Sequence, residues 1–172
     1  MLEVQTALNR FAKHVIIQSK ANLTRGGKNV NKKLWNSIKS DLQVNPKSFS
    51  LSFQMEEYGD YQDKGVKGKA SSLKAPNSPF KFGSGTGRKG GLTDGIKAWV
   101  KARRFQFKDR TNGKFLSYDQ TAKLITRSIY LKGIKPSLFF TKPFESAFKN
   151  LPDELIEAYA LDIESLLKHT KK

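Results

Sequence analysis

The feature that most restricts the fold is a strict alternation of apolar and polar side chains over residues 48–55. The apolar members are Phe49, Leu51, Phe53 and Met55. A period of two places successive side chains on opposite faces of a β-strand. Residues 45–47 (NPK) are typical of a turn, and Leu42 and Val44 precede it at the same spacing. We therefore predict an antiparallel hairpin with one buried face and one face in water.

Helical periodicity comes before this hairpin. Over residues 2–23, apolar side chains recur at steps of three and four, which places them on one face of an amphipathic helix. They are Val4, Leu8, Phe11, Ala12, Val15, Ile16 and Ile17. A second, shorter helix is expected over about 31–40, with Leu34, Trp35 and Ile38 facing inward.

Further helices are expected after the hairpin. Thr93 is predicted to cap one of them, and residues 117–120 (SYDQ) form a capping box that opens the next, which ends at Gly133. Another helix begins at Thr141. An acidic helix follows from about Pro152, and its apolar residues are Leu155, Ile156, Tyr159, Ile163 and Leu166.

The segment 65–91 interrupts this regular pattern. It holds seven of the thirteen glycines, two prolines and four serines, with few apolar residues. A stretch of this length and composition is typical of a long loop or insertion. We predict an α+β fold in which an antiparallel hairpin or small sheet packs against N-terminal and C-terminal helices. Residues 1–172 are expected to form a single domain, with a basic insertion at about 65–116.

Charge is distributed unevenly along the chain. The 32 Lys and Arg residues outnumber 15 Asp and Glu residues, for a net charge of +17, which attracts polyanions at long range. Residues 62–114 carry fourteen bases and three acids, whereas residues 151–167 carry five acids and no base. A chain of this kind can pair its own copies head to tail, or the two regions can simply be solvated faces.

Several functional classes lack the residues that they need. The chain has no cysteine and only two histidines, His14 and His169, which excludes a disulfide framework, a thiolate zinc site and a multi-histidine metal centre. Residues 85–90 match G-x-G-x-x-G, but no buried strand precedes them as dinucleotide binding requires. No apolar run approaches the roughly 18–20 residues of a membrane span. We expect a soluble protein that is not an enzyme and that has no cofactor, no metal and no membrane partner.

A basic and aromatic stretch is a candidate nucleic-acid surface. The basic residues that we expect near DNA are Lys81, Arg88, Lys89, Arg103, Arg104, Lys108 and Arg110. Phosphate contacts need exposed Lys and Arg, and stacking on bases needs exposed rings. Phe105 and Phe107 alternate with polar residues as in a half-buried strand, so we expect these rings in the core. The bases would then tolerate DNA without reading its sequence.

Four landmarks occur in a recognisable order. They are residues 34–38 (LWNSI), 58–66 (YGDYQDKGV), 95–100 (GIKAWV) and 132–140 (KGIKPSLFF). Together they resemble the small head–tail joining or tail-completion proteins of tailed bacteriophages, the large family that includes the lambdoid head–tail joining proteins. The resemblance covers about residues 5–150.

The resemblance implies a structural virion protein without catalytic activity. Copies would form a six- or twelve-fold ring in the neck, between the portal-side adaptor and tail proteins, with genomic double-stranded DNA passing through in non-specific contact. Such a protein would be made in the host cytoplasm and reside in the virion. Candidate subunit-interface residues are Tyr58, Tyr61, Phe139 and Phe140, which could equally belong to the core. The alternative is a small basic nucleic-acid-binding module.

Overall fold

The structure is a computed structural model that describes residues 2–27, 32–45, 48–85 and 91–170. Within those ranges the elements are α1 (Leu2–Arg25), α2 (Lys33–Ser37), β1 (Lys39–Asn45), β2 (Ser48–Gln54), α3 (Tyr58–Lys64), β3 (Val66–Lys67), α4 (Gly91–Arg103), α5 (Tyr118–Lys132), β4 (Gly133–Ile134), α6 (Thr141–Phe148) and α7 (Leu151–Thr170). The predicted α+β class is confirmed.

The chain divides into two compact units. Unit 1 consists of Met1–Gly59 and Leu138–Lys172, and unit 2 consists of Asp60–Ser137. Unit 2 is therefore inserted into the sequence of unit 1. The assignment of residues 1–172 to a single functional domain stays a prediction.

The predicted hairpin is confirmed in unit 1. β1 and β2 pair antiparallel from Lys39 opposite Gln54 to Asn45 opposite Ser48. In β2, half-buried apolar residues alternate with exposed polar ones, as the sequence pattern requires. Pro46 and Lys47 of the predicted turn lie outside the described residues.

The core of unit 1 forms where α1 packs against the hairpin, α6 and α7. Val4, Leu8, Phe11 and Val15 are buried in one cluster with Leu151 of α7. Edge-to-face ring contacts extend the cluster to the hairpin: the Phe11 ring centroid is 6.2 Å from that of Phe53 and 5.7 Å from that of Phe144. The amphipathic helix is confirmed except at one position. Ile17 is 52% exposed, because a step of about 100° per residue turns it away from the face of Val15.

α2 is shorter than predicted. Its five residues end at Ser37, and Ile38 is already extended, with φ −70° and ψ 113°. Residues 39 and 40, which were assigned to this helix, belong to β1. Leu34 and Ile38 are nonetheless buried, and Trp35 is half-buried. These side chains form a second cluster with Leu23 and Phe139.

Unit 2 is built around two packed helices, α4 and α5. The capping box at the start of α5 is confirmed: the Ser117 hydroxyl accepts a hydrogen bond from the Gln120 N–H at 3.2 Å, and the Ser117 N–H donates to the Gln120 side chain at 3.0 Å. Gly133 ends α5 with φ 84°, a conformation that glycine adopts easily. α4 begins at Gly91, so Thr93 lies in its first turn and not at its cap, a correction of the prediction.

The glycine-rich segment is irregular but hydrogen-bonded as far as Gly85. β3 pairs with β4, and the Lys69 N–H donates to the Tyr130 carbonyl of α5 at 2.8 Å. The buried Ser78 hydroxyl donates to the Gly65 carbonyl at 2.7 Å. Residues 86–90, which include most of the G-x-G-x-x-G match, lie outside the described part of the chain.

Candidate functional site

An exposed cluster of rings and cations follows α4 in unit 2. We call it the aromatic–basic surface, and its residues are Trp99, Phe105, Phe107, Phe115, Arg103, Arg104, Lys108 and Arg110. Phe105 lies between two other rings, with centroids 6.0 Å from Trp99 and 5.1 Å from Phe107. The Lys108 ammonium lies 5.1 Å from the centre of the Phe115 ring. These contacts form two groups, Trp99–Phe105–Phe107 and Lys108–Phe115, within a stretch of seventeen sequence positions.

The prediction that the rings belong to the core is wrong. Phe105 is 40% exposed and Phe107 is 38% exposed. The alternation that suggested a half-buried strand belongs to a segment with no extended ladder, only an isolated bridge between Lys108 and Phe115. Each ring therefore packs mainly against its neighbours and keeps an edge or face in water.

Backbone hydrogen bonds hold this segment in place. The Phe105 N–H donates to the Val100 carbonyl of α4 at 3.0 Å, and the Phe107 N–H donates to the Thr121 hydroxyl of α5 at 3.3 Å. Residues 112–113 form a turn, with Gly113 at φ 69° and its N–H donating to the Asp109 carbonyl at 2.9 Å. The aromatic–basic surface is thus fixed to α4 and α5.

The charge of unit 2 is strongly positive. It contains eighteen Lys and Arg residues and five Asp and Glu residues, a formal net charge of +13. Two of the acids pair with lysines: Asp119 with Lys97 at 3.5 Å and Asp60 with Lys64 at 3.3 Å. Because the cations outnumber the acids by thirteen, unit 2 attracts an anionic partner.

Four of the seven basic residues expected near DNA lie within one short exposed segment, residues 103–110. Arg103, Arg104, Lys108 and Arg110 are exposed on the aromatic–basic surface. Lys81 is exposed beside β3, where it forms an isolated bridge with Lys67. The other two candidates, Arg88 and Lys89, lie outside the described residues. Exposed cations beside exposed rings can contact phosphates and stack on bases or on another apolar surface.

A second exposed surface lies on α7 in unit 1. Leu151, Ala158 and Asp162 are buried on one side of this helix. A different set of apolar residues points into water; we call it the α7 stripe, and it consists of Ile156, Tyr159, Ile163, Leu166 and Leu167, with exposed fractions of 70, 53, 40, 60 and 59%. The sequence predicts the first four as apolar residues of an acidic helix, but the prediction missed that α7 buries a different face, the one with Leu151, Ala158 and Asp162. Ala158 is the residue that could have indicated the buried face, because its small side chain allows close packing between helices.

Asp162 connects α7 to the start of α1. Its carboxylate accepts hydrogen bonds from the Glu3 and Val4 N–H groups, both at 3.2 Å. Burial raises the pKa of Asp162, but these backbone hydrogen bonds and the positive charge of the N-terminal amino group together lower it by more, so the pKa lies below its ordinary value. A carboxylate at the N-terminus of α1 also matches the positive end of the helix dipole.

The four candidate interface residues differ in environment. Tyr58 and Tyr61 are 39% and 42% exposed, whereas Phe139 is 1% exposed and belongs to the core of unit 1. Phe140 is half-buried, and its ring stacks on Phe144 at 5.8 Å. Burial raises the pKa of the Tyr58 hydroxyl, and the negative charge of Glu56 raises it further. The two tyrosines therefore have exposed surface that a partner could contact. Phe139 lies in the core, the alternative to an interface position given in the sequence analysis.

An open groove of about 630 Å³ lies beside the C-terminal half of α1. Ile16, Ile17 and Trp35 supply apolar walls, and Lys20 and Arg25 line it as well. The Lys20 ammonium lies 4.4 Å from the centre of the Trp35 ring, a cation–π distance. Because the groove is wide and open, it suits a side-chain row better than a small enclosed ligand.

In the described ranges, no group of three or more His, Cys, Asp or Glu side chains could hold a metal ion, and no helix is long and apolar enough to cross a membrane. Comparison of the chain with protein-family models, curated proteins and solved structures gives no match. Functional interpretation therefore starts from the two exposed surfaces and the groove.

Proposed function

We propose that this chain is a structural protein of a tailed-bacteriophage virion that assembles as a ring in the neck, joins the head and portal to the tail, and lets DNA pass. The observation that carries the proposal is the α7 stripe. Exposed apolar patches of a few hundred Å² are often functional, and they occur at protein-interaction sites. A protein built to assemble with copies or neighbours has a reason to keep such a stripe exposed.

The landmarks of the family resemblance support the proposal, because two of them form one local structure. Residues 58–66 and 132–140 are far apart in sequence, yet Val66 pairs with Ile134 and the Ser137 hydroxyl donates to the Gln62 carbonyl at 2.6 Å. A Cβ at Gly65 would lie 2.6 Å from the Ile134 carbonyl oxygen. These two landmarks therefore belong to one packing arrangement that needs both of them.

The charge of unit 2 supports contact with DNA that does not depend on sequence. Exposed Lys and Arg side chains attract phosphates, but phosphate contacts carry no base information. A conduit for genomic DNA has to avoid tight specific binding, because tight binding would hinder DNA movement. The portal-side adaptor and tail proteins are the other partners in this proposal.

Native mass spectrometry at near-physiological salt without DNA is the first test. We expect a species at six or twelve times the 19.4 kDa chain mass, alone or after addition of portal complexes. Incorporation into particles is then measured by labelling the chain and purifying virions. A chain that stays monomeric with and without portal complexes and that is absent from virions would refute the proposal.

The exposed rings favour a second candidate, a nucleic-acid-binding module. Base–aromatic stacking contributes about 1–3 kcal/mol per base, and it requires the exposure that Phe105 and Phe107 have. This candidate predicts that replacing the four cations Arg103, Arg104, Lys108 and Arg110 with Ala abolishes DNA binding and function together. The ring proposal predicts that assembly survives.

A charge-matched control separates the two candidates. Replacing Lys13, Lys39, Lys142 and Lys149, all exposed in unit 1, removes the same net charge from elsewhere. If the two quadruple variants lose DNA affinity equally, the aromatic–basic surface is not a dedicated nucleic-acid site. The nucleic-acid-binding module is supported if only the first variant loses DNA affinity. In that case the slope of the logarithm of the binding constant against the logarithm of salt concentration should become shallower by about 0.9 for each lost phosphate contact.

A further inference from the structure

The α7 stripe has the dimensions of one side of a protein interface. Its anchors at Ile156, Tyr159, Ile163 and Leu166 follow steps of three, four and three, the spacing with which an amphipathic helix enters a groove. At roughly 150–200 Å² for a large side chain, the exposed fractions of the stripe correspond to on the order of 500 Å². A standard interface buries about 800 Å² on each partner, more than half of it apolar.

The stripe lies at one end of α1. α7 runs antiparallel to α1, because Phe148, just before α7, contacts Phe11, whereas Asp162 hydrogen-bonds the N–H groups of Glu3 and Val4. Residues after Asp162 therefore continue beyond the first turn of α1. The C-terminal part of the stripe, including Leu166, lies on this extension.

The groove lies at the other end of the same helix. Its α1 residues run from Ile16 to Arg25, about sixteen positions from the Asp162 contact, which corresponds to roughly 25 Å along the helix. Ile17 is a 52% exposed isoleucine in this wall. Unit 1 thus presents a ridge and a groove at opposite ends of α1.

We infer that the α7 stripe of one copy docks into the α1 groove of a second copy. The inference rests on the proposed ring, for which it names the contact between subunits. Because ridge and groove are different surfaces, each copy uses one of each, and such a head-to-tail contact gives a closed ring when the rotation between successive copies closes. The occupant of the groove is thus a helix of the same protein.

Charge complementarity favours a copy of this chain over other occupants. Residues 151–167 contain five acids and no base, and Asp153 and Glu157 are exposed on the turns that carry the stripe. The groove carries Lys20 and Arg25. Parallel pairing of two α7 stripes would instead bring the acids of both copies together, which costs free energy and selects against that arrangement.

Cross-linking tests the contact directly, because the chain has no cysteine of its own. We would place single cysteines at Ala160→Cys, beside the stripe, and at Ala21→Cys, in the groove. Mixed variants treated with a short bismaleimide are expected to give the 160–21 product in preference to either self-product. The exposed strand position Ser50→Cys serves as the control for random collision.

The competing arrangements give different products. A dominant 160–160 product would mean that α7 pairs with itself, and no mixed product above the Ser50→Cys control would mean that neither surface is used. Either result overturns the inference. If DNA competes away the mixed product, we would conclude that the groove binds nucleic acid, which also overturns it.

Substitution separates this inference from the ring itself. Ile156→Lys is expected to weaken self-association by at least about tenfold, as for a buried interface anchor, while Val44→Lys, an exposed apolar residue of β1, leaves it unchanged. Both side chains are more than half exposed, so folding is retained, and circular dichroism checks this. A ring of correct mass that withstands Ile156→Lys overturns the docking inference and leaves the proposed function. If the 160–21 cross-link forms but the chain is absent from virions, the docking inference stands and the proposed function fails.

Discussion

Replacing Gly68 with alanine should strongly destabilise unit 2. Gly68 follows β3 and passes directly over the end of α5, where an added Cβ would collide with the Leu131 carbonyl oxygen and lie 2.6 Å from the carbonyl carbon of Lys132. Both obstacles are backbone atoms, which cannot rotate away as a flexible side chain can. The segment or the end of α5 has to move.

The magnitude follows from what such a movement breaks. The next two residues hydrogen-bond α5: the Lys69 N–H donates to Tyr130 at 2.8 Å and the Ala70 N–H donates to Leu131 at 3.1 Å. Two such bonds contribute about 1 kcal/mol each, and overpacking costs about 1–3 kcal/mol. We therefore expect Gly68→Ala to lower the free energy of unfolding by about 3–5 kcal/mol.

The two tryptophans allow each unit to be followed separately in the full-length chain. Trp35 belongs to unit 1 and Trp99 to unit 2, so in a Trp35→Phe background the fluorescence change in urea reports on unit 2. Gly95→Ala is the matched control. A Cβ there has no atom within 4 Å, and inside α4 alanine is better than glycine by about 0.5–1 kcal/mol. The same chemical change should thus destabilise at one position and stabilise at the other.

One result would refute the reasoning. If Gly68→Ala unfolds within about 0.5 kcal/mol of its parent, the typical range for a surface substitution, then the segment does not lie against α5 as described. Loss of stability in both variants would instead show that Trp99 reports on something other than this packing.

Three further predictions concern single side chains. Asp162→Asn should lower stability most above the ordinary carboxyl pKa of 3.8 and progressively less as the pH falls below it, because a lowered native pKa stabilises the protein only when the group is ionised. Urea midpoints at several pH values check this, and a pH-independent difference would contradict it. Ser19→Ala should raise the unfolding free energy by up to about 1 kcal/mol, because the fully buried hydroxyl has no hydrogen-bond partner; a loss above about 0.5 kcal/mol would argue against this. Ser117→Ala should lower it by about 1 kcal/mol through loss of the α5 cap, measured by Trp99 fluorescence, with Ser117→Asp retaining most of the stability.

The parts of the fold that could be predicted are those governed by neighbours in sequence. The alternation in β2 and the capping box at Ser117 are local patterns whose geometry hardly depends on the rest of the chain. Gly133 is similar, because the end of a helix favours the positive φ that glycine adopts easily. These features were expected from the sequence and are present.

The candidate surfaces could not be predicted in the same way, because burial depends on distant residues. Phe105 and Phe107 have the pattern of a half-buried strand, but no second strand forms a ladder with them, so their rings stay exposed. α7 has two faces that could pack against α1. The face with the small Ala158 and with Asp162 is buried there, whereas the α7 stripe stays exposed. Periodicity shows that a helix has an apolar face but not which of two faces is covered.

The hydrogen bonds at Ser137 have a consequence for the order of folding. Unit 2 interrupts unit 1 for the whole of Asp60–Ser137, so unit 1 can form its core only after a long loop has closed. Ser137 lies at the end of this insertion and donates through its hydroxyl to Gln62, near the beginning, at 2.6 Å. Once unit 2 has folded, its two ends are joined, and the loop that unit 1 must close becomes a few residues long. At about 0.6 kcal/mol for each halving of loop length, this lowers the entropic cost of closing the loop by roughly 3 kcal/mol. Folding of the inserted unit therefore favours the later folding of unit 1.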